Sequence, residues 1–598
     1  FYVLGDSTKF TLNGAEKSGG GKTITIQNNA VITQGGGIYL NGNGTHTLTN
    51  CSITGNTMSA SYASGGGVFI SGNGIYKLTD CSITGNTASS SGGGVYLNSN
   101  GTCTLLGTMN ITGNTVKKGS DSSDNNLYLG GRFKITLSDG SGNALSTSSQ
   151  IGVTTNTAPT SGTDIQFATN ASEEMKACFT ADNSDYYVDY KGSDNGLYLC
   201  VRTTYSDLYY KEGEFYSDSA CSNATGITKF SDAVSNMASK STIHMMSQYA
   251  SSASETVTVP AGKNIRVIRH KDFKDASMFS ITGGTFTVNA TDATSSITFD
   301  GQKIKPISAY DGGAFYVDGG NIKLNGTEKT VENQKEKTII IKDNIISAPS
   351  YSSDAKGGGV CINNGTSTLE NCSITGNTAS SSSSYDANGG GVYIAGSGTN
   401  TLENCSITGN TASSSYSSEA NGGGVFIVGG TNTLTTCSIT ENTVSSKYAY
   451  GGGVFIVGGT NTLTNCSITG NTVSSVADAY AAAYGGGVYI YKNTTLLGTT
   501  NITGNTVKKG SDSSDNNLCL RSDYTVALSD SGGGTLSTSS KIGVAIEKTV
   551  TSSSLLFATS ATSAMASCFT SDDSSYNVAY GSSGTLSLAV DNQKQITL

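Results

Sequence analysis

Tryptophan is absent from this chain of 598 residues, proline occurs four times, histidine three times, and charged side chains make up only 13%. The scarcity of charge, with a formal balance of −9, excludes an electrostatic nucleic-acid binder, which needs clustered Lys and Arg. No uninterrupted apolar run is long enough to span a bilayer, so no transmembrane segment is expected. No basic stretch followed by an apolar one opens the chain, so Phe1 is not read as the start of a secretory precursor. His46, His244 and His270 are scattered, and no G-x-S-x-G nucleophile motif sits in a strand–turn–helix setting. The surface positions of the repeats carry Ser, Thr, Asn and Gly rather than gathered acids and bases, so the chain is not expected to be an enzyme.

Glycine is abundant, with 77 residues, and Ser, Thr and Asn are frequent. That composition belongs to many short strands joined by polar turns, and the regular Val, Ile and Leu positions supply a core that a disordered chain lacks. The clearest unit is Gly451-Gly-Gly-Val-Phe-Ile456 followed by Thr460-Asn-Thr-Leu-Thr-Asn-Cys-Ser-Ile-Thr-Gly-Asn-Thr472. Its cysteine recurs at Cys51, Cys81, Cys372, Cys405, Cys437 and Cys466, at intervals of 30 in the first block and 33, 32 and 29 in the second. A period of this length signals a solenoid or array.

Within each unit apolar residues alternate over two to four positions between Gly, Asn and Thr turns, the pattern of short half-buried strands. Stacking each unit on the last, about 4.8 Å further on, pairs every strand above and below and removes the edges a flat sheet would expose. The expected fold is all-β, a parallel β-helix solenoid in which like residues stack in columns. Val68, Val95, Val392, Val425, Val454 and Val488 form an interior column, and the six cysteines another, with Met109 and Thr500 standing in where Cys is missing. Asn56, Asn86, Asn114, Asn377, Asn410, Asn442, Asn471 and Asn505 read as an inward asparagine ladder, against the plainer reading of a left-handed turn residue.

The clear repeats occupy residues 31–115 and 357–506. Each block ends in the same words, Asn110–Leu127 and 501–518, and continues through Ser-Thr-Ser-Ser-x-Ile-Gly-Val (146–153, 537–544) to Cys178-Phe-Thr180 and Cys568-Phe-Thr570. This predicts two tandem modules, 1–200 and 257–598, the first beginning inside its module because Phe1-Tyr-Val aligns with Phe315-Tyr-Val317. Between them, 201–256 reads as linker and helical cap. Phe230, Ala233, Val234 and Met237 fall at i, i+3, i+4 and i+7 and predict a helix at about 227–239. The closing residues 593–598 offer no obvious cap.

These motifs resemble the right-handed β-helix surface proteins of microbes, including adhesin-like proteins and those with polymorphic outer-membrane protein repeats. The residues that carry the resemblance are Gly65-Gly-Gly-Val-Phe-Ile70 with Cys81-Ser-Ile-Thr-Gly-Asn86, and their later copies. The resemblance implies secretion and display at a cell surface. It is poor for function, because the same fold also carries pectate lyases and other polysaccharide-active enzymes.

Candidate sites follow from the outward positions. Tyr39, Phe69, Tyr96, Tyr393, Phe426, Phe455 and Tyr489 would make an external aromatic stripe, interrupted at Cys361. It would bind sugar rings, pack against another rod, or only stabilise the sheet. Asp121 and Asp124, repeated as Asp512 and Asp515, could hold Ca²⁺ in a Ser/Gly loop, although such loops are ordinary turns; no other cofactor is expected. Thirteen cysteines leave at least one unpaired. Buried reduced thiols are expected, with Cys178–Cys200 as the one disulfide candidate. Asn-x-Ser/Thr triplets at Asn50, Asn110, Asn404 and Asn465 follow from the repeat itself, and the Ser-rich loops 379–387 and 411–420 are O-glycan candidates. The leading expectation is an extracellular structural protein, a rod for a surface fibre, filament or sheath, that self-associates end to end or side by side. The alternatives are a glycan- or cell-binding adhesin and a polysaccharide lyase or hydrolase.

Overall fold

A computed structural model describes the chain apart from residues 6–8, 17–21, 33, 161–162, 184, 203, 274–275, 305–310, 333, 349–352, 383, 416–417, 477, 479, 522–523, 548–553 and 591–598. It divides into two compact units, Phe1–Thr203 and Thr204–Leu598. Among the described residues no helix is long and apolar enough to cross a membrane.

In the first unit each coil lays down short strands that pair in parallel with the coils on either side. One column contains Ile38–Asn41, Val68–Gly72, Val95–Ser99 and Leu127–Leu129, and a second Ile24–Gln27, Cys51–Thr54, Ser82–Thr84 and Asn110–Thr112. A third contains Phe10–Asn13, Thr45–Thr49, Ile75–Thr79 and Thr102–Leu106. The register puts identical positions opposite each other, as Val68↔Val95, Phe69↔Tyr96 and Ile83↔Ile111. Ile53, Leu78, Ile83 and Val68 are buried in one continuous core. The first two columns merge on Gln150–Thr155, where Ile151 pairs with Ile111 and Val153 with Leu127.

The second unit repeats this plan with longer columns. Val360, Val392, Val425, Val454 and Val488 pair in succession, as do Ile374, Ile407, Ile439, Ile468 and Ile502. The three-glycine turn before each Val has a physical cause. Gly451 takes a φ of 63°, and a Cβ on Gly452 would run into the carbonyl of Gly486 one coil on. The residue before the cysteine turns left-handed too, at Asn371 (51°), Asn404 (50°) and Asn465 (55°), a conformation Asn tolerates. This corner geometry accounts for Asn-Cys-Ser without reference to glycosylation.

Three features differ from the sequence expectation. First, the Ser/Ala/Tyr-rich stretches are not loops throughout. Thr378–Ser381, Thr411–Ser414, Thr443–Ser445 and Thr472–Ser475 form a fourth parallel column, and Ala387–Asn388, Glu419–Asn421, Tyr448–Tyr450 and Ala482–Tyr484 a fifth. Between them Ala387, Ala412, Ala420, Val444, Ala449, Val473 and Ala483 bury a second, small core. Second, the stretch expected to be a linker carries strands Tyr205–Lys211, Glu214–Tyr216 and Met237–Met245 of the second unit. The helix is there but shorter, Phe230–Asn236, with Phe230, Ala233 and Val234 in the unit's core and the Phe230 ring edge-on to Phe279 at a centroid separation of 4.9 Å. Third, both units end in an antiparallel device. Gly196–Val201 pairs with Ile165–Thr169 and Tyr186–Lys191, and Thr585–Val590 with Leu555–Thr559 and Tyr576–Gly581. The 3₁₀ turns Glu173–Cys178 and Ser563–Cys568 lie between the first of these strands in the chain and the hairpin and bury Met175 and Met565. Residues 593–598, where no cap is expected, lie outside the described ones.

Candidate functional site

The columns set the chemistry, because each position of the repeat meets its own kind. The asparagine ladder is continuous in both units. Asn410 donates from its backbone N–H and its Nδ2 to Oδ1 of Asn442, at 3.0 and 2.9 Å, and Nδ2 also reaches the Ile374 carbonyl at 2.9 Å. The same pattern runs from Asn344 through Asn377, Asn410, Asn442, Asn471 and Asn505 to Asn517, and from Asn56 through Asn86 and Asn114 to Asn126. All donors point the same way along the solenoid, so the last asparagine offers two unanswered N–H groups. A carboxylate answers them in each unit. Asp182 accepts from Asn126 N (2.8 Å) and Nδ2 (2.7 Å), and Asp572 from Asn517 N (2.6 Å) and Nδ2 (2.7 Å). A Cβ on Gly152 or Gly543 would collide with that carboxylate, which explains the glycine of Ile-Gly-Val. Burial raises both acids above the usual carboxylate range, opposed by the donors that hold them. Sequence reasoning missed Asn126, Asn344, Asn517 and both aspartates. The signal available was the repeated Asn-Asn-Leu and Ile-Gly-Val. It also missed a second, shorter ladder, Ser367–Asn400–Asn432–Asn461, written in the Thr-Asn-Thr of the repeat.

The cysteines stand where expected. Cys81 receives Met109 above it, and the Cys466 N–H donates to Thr500 Oγ1. The thiols of Cys405, Cys437 and Cys466 donate to the carbonyls of Leu369, Leu402 and Leu434 at 3.2–3.3 Å. Burial pushes the Cys103 thiol up to about 12. The proposed Cys178–Cys200 disulfide is not formed: all thirteen cysteines are free thiols. Cys178, at the end of the 3₁₀ turn, donates to Ser146 O, and Cys200, on strand Gly196–Val201, to Tyr198 O, each thiol buried in its own surroundings.

The aromatic positions separate the two units. In the first, Tyr2, Tyr39, Phe69, Tyr96 and Tyr128 form a stack with centroids 4.4, 5.1, 5.0 and 5.3 Å apart and planes within 16°. Tyr39, Tyr96 and Tyr128 are half-buried and Phe69 is buried. In the second, Tyr393, Phe426, Phe455 and Tyr489 are all buried, with exposures of 7, 7, 3 and 0%. The expectation of a solvent-facing stripe is corrected there. The rings do point away from the main core, but they form a core of their own with Cys361 and Cys519, covered by Tyr450, Tyr484 and Tyr491. In both units ring faces are spent on neighbouring rings, so a sugar would meet edges.

Asp121 and Asp124 lie on an exposed strand, Asp121–Asp124, folded back antiparallel on Thr115–Lys118, and Asp512–Asp515 repeats it on Thr506–Lys509. Among the described residues no group of three or more His, Cys, Asp or Glu is placed to hold a metal ion. Two depressions mark the second unit. One, of about 440 Å³, brings together Asp515, Glu547, Asp572, Asp573 and Tyr576 beside the end of the ladder. The other, of about 450 Å³, is lined by Ser414, Ser415, Ser445, Ser446, Ser474, Ser475 and Lys447 on three successive coils. The latter runs beside the O-glycan candidate stretch 411–420.

Residues 291–542 match the family model described as a right handed beta helix region. The chain carries right-handed β-helix repeats. No curated protein and no solved structure matches it. That fold is shared by polysaccharide-active enzymes and non-enzymatic proteins alike, so a match over this stretch leaves the activity to be argued from the side chains.

Proposed function

We propose that this β-helix protein is an extracellular structural protein, built of two tandem modules that serve as stiff elements of a cell-surface fibre, filament or sheath. The observation that carries the reading is the unbroken, in-register polar ladder at the centre of each unit. Along each ladder the Nδ2 of one asparagine is answered by the Oδ1 of the next coil's, so bending or sliding one coil breaks several buried hydrogen bonds at once. The outer ranks support it. Thr368, Thr401, Thr433, Thr462 and Thr495 stack in register as an outward rank of hydroxyls suited to side-by-side packing with another copy. In this reading the helix Phe230–Asn236 plugs the opening of the second module, and the antiparallel hairpins close each module's far end against unwanted strand addition. No catalytic role is assigned to the acids near 572, because Asp572 is engaged in terminating the ladder.

Electron microscopy of the native surface material, labelled with an antibody to this chain, tests the reading. Filaments or sheets carrying the label are expected. Labelled material that is only dispersed monomer, even when concentrated, would overturn it. The serine groove favours one second reading, an adhesin that binds a glycan chain along its repeating hydroxyls. A glycan array probed with the full chain, and with Ser445→Tyr filling the groove, decides it: no binding, or binding unchanged by the substitution, removes the groove from consideration.

A further inference from the structure

The thiols of this protein are unpaired, and all but Cys221 are buried, so its coils have no covalent tie from sulfur. The outer face of the first unit holds another group capable of one. Tyr96 and Tyr128 lie directly opposite each other on neighbouring parallel strands. Their rings are 5.3 Å apart and within 7° of parallel, and both are half-buried rather than sealed. The Tyr128 hydroxyl donates to Asn156 Oδ1 at 2.8 Å, which fixes its ring over its neighbour. The register sets the two rings face to face, and coupling requires them to swing so that the carbons beside the two hydroxyls meet. The second unit offers a contrast: at the corresponding positions Tyr489 meets Cys519, which has no phenol.

We propose that Tyr96 and Tyr128 are a modification site, a tyrosine pair that a peroxide-driven haem oxidant joins into dityrosine, locking two coils of the first unit together. Each phenol loses one electron and its O–H proton to give a phenoxyl radical. The radicals couple at the ring carbons ortho to oxygen, forming one C–C bond. The two ring C–H bonds there then break as their hydrogens return to oxygen, restoring both phenols. The two electrons and two protons released reduce one hydrogen peroxide, whose O–O bond breaks, to two waters.

The test uses the full chain, treated with hydrogen peroxide and a haem peroxidase, digested with trypsin and read by mass spectrometry. Cleavage after Lys77, Lys117, Lys118 and Arg132 places Tyr96 as the only tyrosine of peptide 78–117 and Tyr128 as the only one of 119–132. A linked 78–117/119–132 species, lighter than the sum of the two peptides by two hydrogens, is expected. It should be lost in Tyr96→Phe and Tyr128→Phe, which keep the stacked rings. With equal amounts of ¹⁵N-labelled and unlabelled protein, all-light and all-heavy pairs are expected. The proposal is overturned if linked peptides are of mixed label. It is equally overturned if this species is absent while the exposed tyrosines Tyr62 and Tyr480, 86 and 80% accessible, couple between molecules and so show that the oxidant worked.

Discussion

The two units run the same coil and finish it differently on one side. In the first, Tyr39, Tyr96 and Tyr128 stack at the margin of the solvent. In the second, the same positions are buried beneath a column of strands, Glu419–Asn421, Tyr448–Tyr450 and Ala482–Tyr484, that the longer inserts supply. The inner columns hardly change: Val, Ile, Cys and Asn meet their copies in both. The difference teaches that the interior of a β-helix is specified by the repeat, whereas the status of its outward residues is specified by what lies between repeats. A ring that is surface in a coil with a short insert becomes core in a coil with a long one.

The comparison can be broken or sharpened experimentally. The largest effect is expected where the units agree. Asn442→Ala would strand the Asn410 backbone N–H and one of the two Nδ2 hydrogens and leave Ile407 O without its donor, costing about 3 kcal/mol or more, and Asn86→Ala should do the same in the first unit. Urea unfolding of each variant checks this; a loss confined to one unit would mean the ladders are not equivalent. Next, Phe455→Ala should cost about 3–4 kcal/mol because its ring is 3% exposed, whereas Tyr96→Ala, half-buried, should cost about half that. Equal losses in calorimetry would refute the assignment of Phe455 to core and Tyr96 to the margin of the solvent.

The covering column also brings acids with it. Asp386 accepts the Glu419 N–H, and burial, with Asp354 and Glu419 nearby, raises its carboxyl to about 6. A folded-state value above the unfolded one means the proton binds the folded state more tightly. That stabilisation is complete below about pH 4 and is lost as pH rises through about 6. The melting temperature of the second unit should therefore fall across that window beyond the change both units share through Asp182 and Asp572, and Asp386→Asn should remove the excess. An unchanged profile in that variant would place the titration elsewhere. The smallest effect is local. Glu441 sits at a φ of 57° where the other copies have glycine, so Glu441→Gly should stabilise the second unit by about 0.5–1 kcal/mol, measured as a small rise in the urea midpoint.

Much of the interior was legible before any coordinates. The alternation of Val68 with Ile70, the recurrence of Cys51 and Cys81, and Met109 in a cysteine's place all point to stacked inward columns, and the coils pair in that register. The turn Asn was ambiguous between ladder and simple turn, and hydrogen bonding from coil to coil decides for the ladder. Asp182 and Asp572 were illegible because they lie more than fifty residues from the asparagines they serve. The Ser/Ala-rich inserts looked like loops because Ala412, Ala420 and Ala449 are too small to announce a core, and bury one only against each other.

The repeat by itself determined the parallel stacking, the inward Val, Ile, Cys and Asn columns and the glycine turns. Each of these follows from alternation and from backbone sterics, which act between near neighbours in the chain. Only the tertiary structure decided which aromatic rings face solvent, which carboxylate ends each ladder, and that Cys178 and Cys200 remain apart as thiols. Those outcomes depend on which segments come together across coils, and no local pattern of residues encodes that proximity.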